Sequence, residues 1–239
     1  MARQRRRRRP RRREAPRAAP KENSRPSAPV PVPLFEEDPQ LRILKAALDL
    51  FTQKGYFNTS IAEIREAADV STGTIYHHFK TKEAIAAALF STIVESLKES
   101  LAEIWNRTES TLDRLRKVTE LLFALTEEAP QVMRFLLLLR HQEFIQNAPP
   151  LLGTAPFQEL RRTIAEGIER GELRRLDPEI AFACFCGMLF QTIRLRLEGV
   201  LEKPLDWCLL DTWTSIWKAL VPGQPLETAT PRTAETAKP

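Results

Sequence analysis

The stretch from Ser60 to Glu83, SIAEIREAADVSTGTIYHHFKTKE, constrains the fold of this chain most strongly. Ser60, followed three residues later by Glu63, has the pattern of a capping box, which starts a helix. Asp69 and Val70 are predicted to form a turn, after which Ser71 caps a short second helix. Two helices joined by a turn of three or four residues make a helix-turn-helix. In such a unit the second helix lies in the major groove of DNA, with its N-terminal residues toward the base edges.

The residue types in the second helix suit this role. Thr72 and Thr74 carry short hydroxyls that reach base edges or thymine methyl groups. Gly73 has no side chain, so the backbone can approach the duplex closely. Further along, Tyr76 and His77 are placed to reach phosphates. Thr81 is predicted to cap the next helix, and Lys82 at the start of that helix is expected to meet a phosphate as a point charge.

The segment Val70 to Glu83 resembles the signature of TetR/AcrR-family transcriptional regulators. The family pattern runs Val-Ser-x-Gly-x-apolar-Tyr-x-x-Phe-x-x-Lys-acid-x-Leu, and Phe51 together with residues 55–64 also matches it. Ile85 stands where the family usually has Leu, a change that keeps the side-chain volume. The resemblance implies that Thr59, Ser60 and Ser71 join the second helix at the DNA.

The resemblance also implies the architecture. An all-α fold of about nine helices is expected, with a helix-turn-helix DNA-binding domain over residues 38–84. A larger helical domain for ligand binding and dimerisation follows over residues 85–221. A long helix from Thr81 to about Asn106 connects the two, and apolar spacing predicts further helices at about 111–128, 130–146, 156–170, 178–199 and 206–220.

The charge of the chain is concentrated at its N-terminus. Residues 1–33 contain eleven Arg and one Lys against two Glu, a net charge of +10, so the remaining residues carry −5 of the overall +5. The like-charged arginines, many prolines and absent apolar periodicity predict a disordered tail over residues 1–37, and residues 222–239 are predicted to form a second one. The N-terminal tail is an arm that holds phosphates without sequence preference, a solvated extension with no specific role, or the product of a misassigned translation start.

The last two helices are predicted to form the interface of a homodimer. The helix over 178–199 is apolar on two faces, and the final helix places tryptophans at helical spacing. TetR-like proteins pair two such helices from each protomer in a four-helix bundle; the alternative is that the tryptophans cap the core of a monomer. The predicted interface residues are Phe182, Cys186, Leu189, Ile193, Trp213 and Trp217.

The resemblance implies that a small molecule binds inside the larger domain. A mostly apolar site with a few polar anchors is typical of such pockets. The predicted contacts are Trp105, Phe123, Met133, Leu137, His141, Phe144, Phe185, Met188 and Gln191, with Gln142 and Arg194 as further polar candidates. The alternative is that they belong to the core, because an apolar stripe on a helix more often forms core than pocket.

Other functional classes find little support in the sequence. It contains no Gly-rich phosphate loop, no metal-ligand spacing of His and Cys, and no nucleophile elbow, so we expect neither an enzyme nor a bound cofactor or metal. Without an apolar run of about eighteen residues or a signal peptide, a cytoplasmic protein is expected, and its three cysteines predict no disulfides. The expected function is a regulator, more often a repressor than an activator in this family, that binds a palindromic operator as a dimer and is released by a largely apolar effector. The alternative is a nucleic-acid binder dominated by the arginine tail.

Overall fold

The computed structural model describes residues 38–223, and these residues form nine α-helices without a strand. The helices are α1 (Pro39–Lys54), α2 (Ile61–Ala67), α3 (Thr72–His78), α4 (Lys82–Arg107), α5 (Thr111–Glu128), α6 (Pro130–Leu138), α7 (Ala155–Glu169), α8 (Pro178–Leu197) and α9 (Leu205–Leu220). Two short 3₁₀ helices, η1 (His141–Glu143) and η2 (Leu151–Gly153), lie between α6 and α7. The all-α architecture is confirmed. The predicted tails lie outside the described residues, apart from Pro222 and Gly223.

Local capping signals account for the starts of the early helices. Ser60 and Glu63 form both hydrogen bonds of the capping box, and the hydroxyls of Ser71 and Thr81 accept from backbone N–H groups of α3 and α4. Asp38 caps α1, with Pro39 at the first helical position. Gly55 ends α1 at φ 88° and ψ 154°, an extended conformation with positive φ that glycine adopts readily.

The first three helices pack on one another through buried apolar side chains. Leu44 and Phe51 of α1 pack with Ile64 of α2 and Ile75 of α3, and all four side chains are buried. The turn between α2 and α3 places Asp69 at φ 50°, a left-handed conformation that Asp tolerates better than most residues. Packing and the turn together hold α3 at a fixed angle on the other two helices.

The helix predicted over 130–146 ends early, at Leu138. Leu139 is extended, and the chain continues through η1. No Gly or Pro marks this end, so nothing local in the sequence predicts it. The reason is tertiary, because His141 turns inward and lies buried against the rings of Phe90 and Phe135.

Helix α8 is central to the larger domain. Phe185, Leu189 and Ile193 are buried in the core, and the helix packs against both α7 and α9. By length and hydropathy α8 is also the one helix within residues 38–223 that could cross a membrane, which is weak evidence because core helices of soluble proteins meet the same criteria. Reciprocal hydrogen bonds tie it to α6: Arg134 donates to the carbonyl of Leu197, and Arg194 donates to that of Leu137.

Helices α5 and α7 meet where Gly167 faces Thr111. A Cβ added at Gly167 would lie 2.7 Å from Cγ2 of Thr111. Thr111 is fully buried, its Oγ1 accepts from Arg170, and its N–H donates to Glu172, so it has little freedom to move away. The absence of a side chain at residue 167 is therefore required by packing.

Replacing Gly167 by Ala is expected to lower the free energy of unfolding. Overpacking costs about 1–3 kcal/mol, which exceeds the gain of up to about 1 kcal/mol in helix propensity. The matched control is Gly187→Ala on α8, where an added Cβ meets no atom within 4 Å, so stability should stay equal or rise. Urea unfolding midpoints would measure both changes; a Gly167→Ala protein as stable as the control would contradict the steric argument.

Candidate DNA-binding interface and effector region

The exposed side of α3 presents the residues predicted to read DNA. Thr72, Gly73, Tyr76 and His77 are exposed, whereas Ile75 on the opposite side is buried in the three-helix core. Because α3 is anchored through its apolar side, the polar side is held in one orientation. This is the arrangement that a recognition helix needs to meet base edges.

The N-terminus of α3 uses some of these polar groups internally. The Ser71 hydroxyl accepts from the backbone N–H of Thr74 at 3.0 Å and shares a 2.8 Å hydrogen bond with the Thr74 hydroxyl. Because its hydroxyl is engaged by Ser71, Thr74 has its methyl group, rather than its hydroxyl, available to contact a base. Thr72 is exposed and makes no such contact, so it is the stronger candidate for reading a base edge.

The structure corrects the predicted role of Thr59. This residue is only 2% exposed, and its hydroxyl donates to the carbonyl of Gly55, so its side chain is not available to a phosphate. Ser60 is exposed, but its hydroxyl is shared with Glu63 in the capping box. Hydrogen bonds from Lys54 and Ser60 lower the pKa of Glu63 to about 2, so this carboxylate stays charged and keeps the cap intact.

Lys82 also differs from the sequence-based expectation. Its Nζ donates to the carbonyls of Tyr56 and Thr59, at 2.8 and 2.7 Å, and lies 4.3 Å from the centre of the Tyr56 ring. Burial lowers the pKa of Lys82. The ammonium group therefore ties α4 to the loop between α1 and α2, and one of its three N–H groups remains for a phosphate.

Aromatic rings join the DNA-binding domain to the larger domain. Phe144 stacks on Tyr56 with centroids 4.1 Å apart, and His141 lies 5.8 Å from Phe144 and 4.7 Å from Phe90. We call Tyr56, Phe90, Phe135, His141 and Phe144 the aromatic junction. Beside it, the backbone N–H of Gln146 donates to Glu83 at the start of α4. The segment after α6 is thus docked directly on the DNA-binding domain.

His141 is the unusual member of the junction. It is 6% exposed, and its Nε2 has no hydrogen-bond partner. Burial lowers the pKa of His141 to about 4, against the opposing effect of a hydrogen bond to the backbone of Phe135. The imidazole is therefore neutral at physiological pH and acts as a packed ring rather than a ligand contact.

Most residues predicted to contact an effector belong to the core or to the junction. Phe123, Met133 and Phe185 are buried in the core. The indole N–H of Trp105 donates to Thr163 Oγ1, and Met188 packs half-buried against the core. His141 and Phe144 are part of the junction. A cavity of about 10 Å³ between α4, α5 and α6 has room for no more than one water molecule.

Three predicted residues, Leu137, Gln191 and Arg194, do line a groove of about 520 Å³. Helix α8 forms most of its wall, and Leu137 of α6, Leu152 of η2 and Arg161 of α7 complete it. The sequence pattern missed Leu152 and Arg161 because neither lies on an apolar helical stripe. The groove is large enough for a small molecule.

The predicted dimer residues need a similar correction. Phe182, Cys186, Leu189 and Ile193 are buried inside the protomer, so they are not available to a partner. Trp213 is half-buried and packs against the same core, while Trp217 is 43% exposed. The large apolar side chains exposed on these two helices, which we call the α8–α9 face, are Ile180, Trp207, Leu210 and Trp217.

Comparisons with known proteins agree with this geometry. Residues 43–89 match the family model described as bacterial regulatory proteins, tetR family. The uncharacterized HTH-type transcriptional regulator YhgD of Bacillus subtilis is 31% identical over 150 residues, which cover 58% of this chain and 73% of YhgD. The HTH-type transcriptional regulator RutR of Escherichia coli is 27% identical over 143 residues, which cover 57% of this chain and 65% of RutR, just under two thirds of its length.

Solved structures share the fold. The transcriptional regulator FadR from Bacillus subtilis, in complex with stearoyl-CoA, superposes with a TM-score of 0.61 at 22% identity and covers 74% of this chain and 96% of FadR. The family model describes regulatory proteins, and both relatives are HTH-type transcriptional regulators rather than enzymes. The chain belongs to the TetR family of helix-turn-helix transcriptional regulators.

Proposed function

We propose that this protein is a repressor that binds a two-fold-symmetric operator as a homodimer in the cytoplasm and leaves it when a small molecule binds. The observation that carries the proposal is the recognition helix, with Ile75 buried beneath it and Thr72, Gly73 and Tyr76 exposed. A single helix of seven residues contacts few base pairs. Two copies related by a two-fold axis read two half-sites and supply the missing affinity.

The α8–α9 face supports the homodimer. Trp207 and Leu210 are 74% and 73% exposed, and they share one side of α9 with Trp217; large apolar side chains exposed on one side of a helix are typical of an association site. The face belongs to the larger domain, so pairing through it leaves α3 free. The other side of α8 is filled by the protomer's own core.

Charge indicates a role for the arginine tail. The DNA-binding domain over residues 38–84 contains six Arg and Lys against six Asp and Glu, so it is neutral overall. Phosphate neutralisation drives much of the affinity for DNA, and the +10 of residues 1–33 would supply it. In this proposal the tail adds salt-dependent affinity, and α3 determines the sequence that is bound.

An effector is supported by the groove beside α8 and by the FadR structure, whose bound stearoyl-CoA shows that a neighbour of this fold holds a small molecule. Release requires that the ligand prefer a conformation with lower DNA affinity. Coupling of about 1–3 kcal/mol, or 5- to 150-fold in affinity, is typical. Repression is the commoner mode in the family; activation is the alternative, and a reporter gene placed behind the operator would distinguish them.

Selection of bound sequences from a random duplex pool tests the proposal. The full chain is expected to recover a palindrome, and a variant lacking residues 1–37 should recover the same palindrome with weaker, less salt-dependent binding. Thr72→Ala should change the preferred bases within each half-site. Tight binding without any motif, lost when the tail is removed, would instead establish a general nucleic-acid binder.

A further inference from the structure

The groove along α8 is lined by apolar side chains and by two arginines that differ in how closely they are paired with carboxylates. Leu137, Leu152 and Phe190, which are partly exposed, supply apolar surface to it, and the buried side chain of Phe182 lies beneath them. None of the large side chains of the α8–α9 face lines the groove, but Ile180 follows the lining residue Glu179 on α8, so the groove adjoins that face. At Gly187, in the middle of the lining stretch of α8, a Cβ would meet no atom within 4 Å, so this part of the groove is open.

The two arginines of the groove differ in how far their charge is compensated. Arg161 pairs with Glu179 at 2.9 Å, and its guanidinium lies 4.3 Å from the centre of the Phe182 ring. Arg194 donates to the carbonyl of Leu137 at 3.2 Å, and its Nε is 3.9 Å from the nearest Glu198 oxygen, which is a loose ion pair. Arg194 is therefore the cation of the groove that is available to an anion.

The charged groups lie at opposite ends of the lining stretch of α8. Glu179 and Arg194 are fifteen residues apart on one helix, which corresponds to a length of about 22 Å. An anion at Arg194 would have the apolar surfaces beside it and the carboxylate of Glu179 at the far end. We propose that the groove binds an elongated amphipathic carboxylate, with its carboxylate on Arg194 and its apolar chain directed toward Phe182.

This inference rests on the proposed function and describes how a ligand bound at Arg194 would weaken DNA binding. The Leu137 carbonyl that accepts from Arg194 lies in the last turn of α6, just before the segment docked on the DNA-binding domain. A ligand carboxylate competes for the same guanidinium, because a charge-assisted hydrogen bond is stronger than one to a neutral carbonyl. Loss of the Arg194 bond frees the end of α6, and with it the position of Phe144 against Tyr56.

Isothermal titration of the full chain with dodecanoate and dodecan-1-ol, both at concentrations below micelle formation, tests the site. Wild-type protein is expected to bind dodecanoate at least about 10-fold more tightly than the alcohol. Arg194→Gln should abolish this preference, whereas Arg194→Lys should keep most of it. The control Arg175→Gln removes an exposed arginine outside the groove and should retain the wild-type preference.

A second variant keeps the test independent of the fold around Arg194. Leu152→Glu places a carboxylate at the groove on a short 3₁₀ helix and should weaken dodecanoate binding about 10-fold. If wild-type protein binds neither compound, or if Arg194→Gln leaves the preference intact, the proposal is overturned. A purely structural role of Arg194 would lower the thermal stability of Arg194→Gln without changing that preference.

Operator release is measured separately by fluorescence anisotropy, with each variant's ligand-free DNA affinity as its reference. Dodecanoate is expected to weaken operator binding by wild-type protein at least 5-fold, within the usual range of coupling. If the operator stays bound while dodecanoate is bound, the proposed coupling through the Leu137 carbonyl is wrong, but the proposed function as a DNA-binding regulator is unaffected. Dodecanoate binding without any operator would instead count against the proposed function.

Discussion

Leu210→Glu is expected to convert the proposed homodimer into a monomer and to weaken operator binding by at least about 100-fold. Leu210 is 73% exposed and lies between Trp207 and Trp217 in the sequence of α9. A buried, unpaired carboxylate in the interface is costly, so the two protomers separate. A monomer then loses the gain of about 10²–10⁴ that comes from binding two half-sites at once.

Analytical ultracentrifugation and fluorescence anisotropy on the selected operator measure the two effects. The control Gln131→Glu adds the same charge at an exposed position on α6, away from the face, and should stay dimeric with wild-type affinity. Circular dichroism of both variants shows whether the helices remain. If Leu210→Glu stays dimeric, the protomers associate through another surface.

The DNA-binding domain was the part of the fold that the sequence predicted best. Its helix boundaries depend on local signals, such as the capping box of Ser60 and Glu63 and the cap at Ser71, which act within three residues. Because these signals act over only a few residues, they do not predict which side chains become buried by tertiary packing. Thr59 was assigned to DNA from its position before α2, but its burial depends on how the loop packs against α4.

The dimer and effector residues were harder to predict because they depend on tertiary packing. Helix α8 is apolar nearly all round, so periodicity could not tell which side faces the protomer's own core. The sequence predicts Phe182 and Leu189 at the interface, but both side chains are buried within the protomer, whereas Ile180 and Leu210 are exposed. The groove joins residues from three helices and η2, and no sequence window contains them all.

The wild-type protein is expected to lose stability on acidification because of His141. Its pKa is about 4 in the folded state and near 6.5 in the unfolded chain. Between these values the unfolded chain binds a proton that the folded protein does not, so the free energy of unfolding falls as pH decreases below 6.5. The loss attributable to His141 should reach about 2 kcal/mol between pH 7 and pH 5.

His141→Phe is expected to remove this part of the pH dependence, because phenylalanine keeps the ring contacts with Phe90 and Phe135 and carries no titrating group. Urea unfolding at pH 7 and pH 5 measures the difference between wild type and variant. His77→Phe removes an imidazole from the exposed side of α3 and serves as the matched control, expected to keep the wild-type profile.

The comparison also tests how the two domains are joined. His141 contacts Phe144, which stacks on Tyr56, so a proton on His141 places a charge among rings that hold the DNA-binding domain. Because the pKa of His141 in the folded state is about 4, the imidazole stays largely neutral at pH 5, so the operator affinity of the wild type should fall through this charge only as the pH approaches 4, and that of His141→Phe should fall less. If the free energy of unfolding changes equally with pH in wild type and His141→Phe, then His141 is hydrated in the folded state and the junction is open to water.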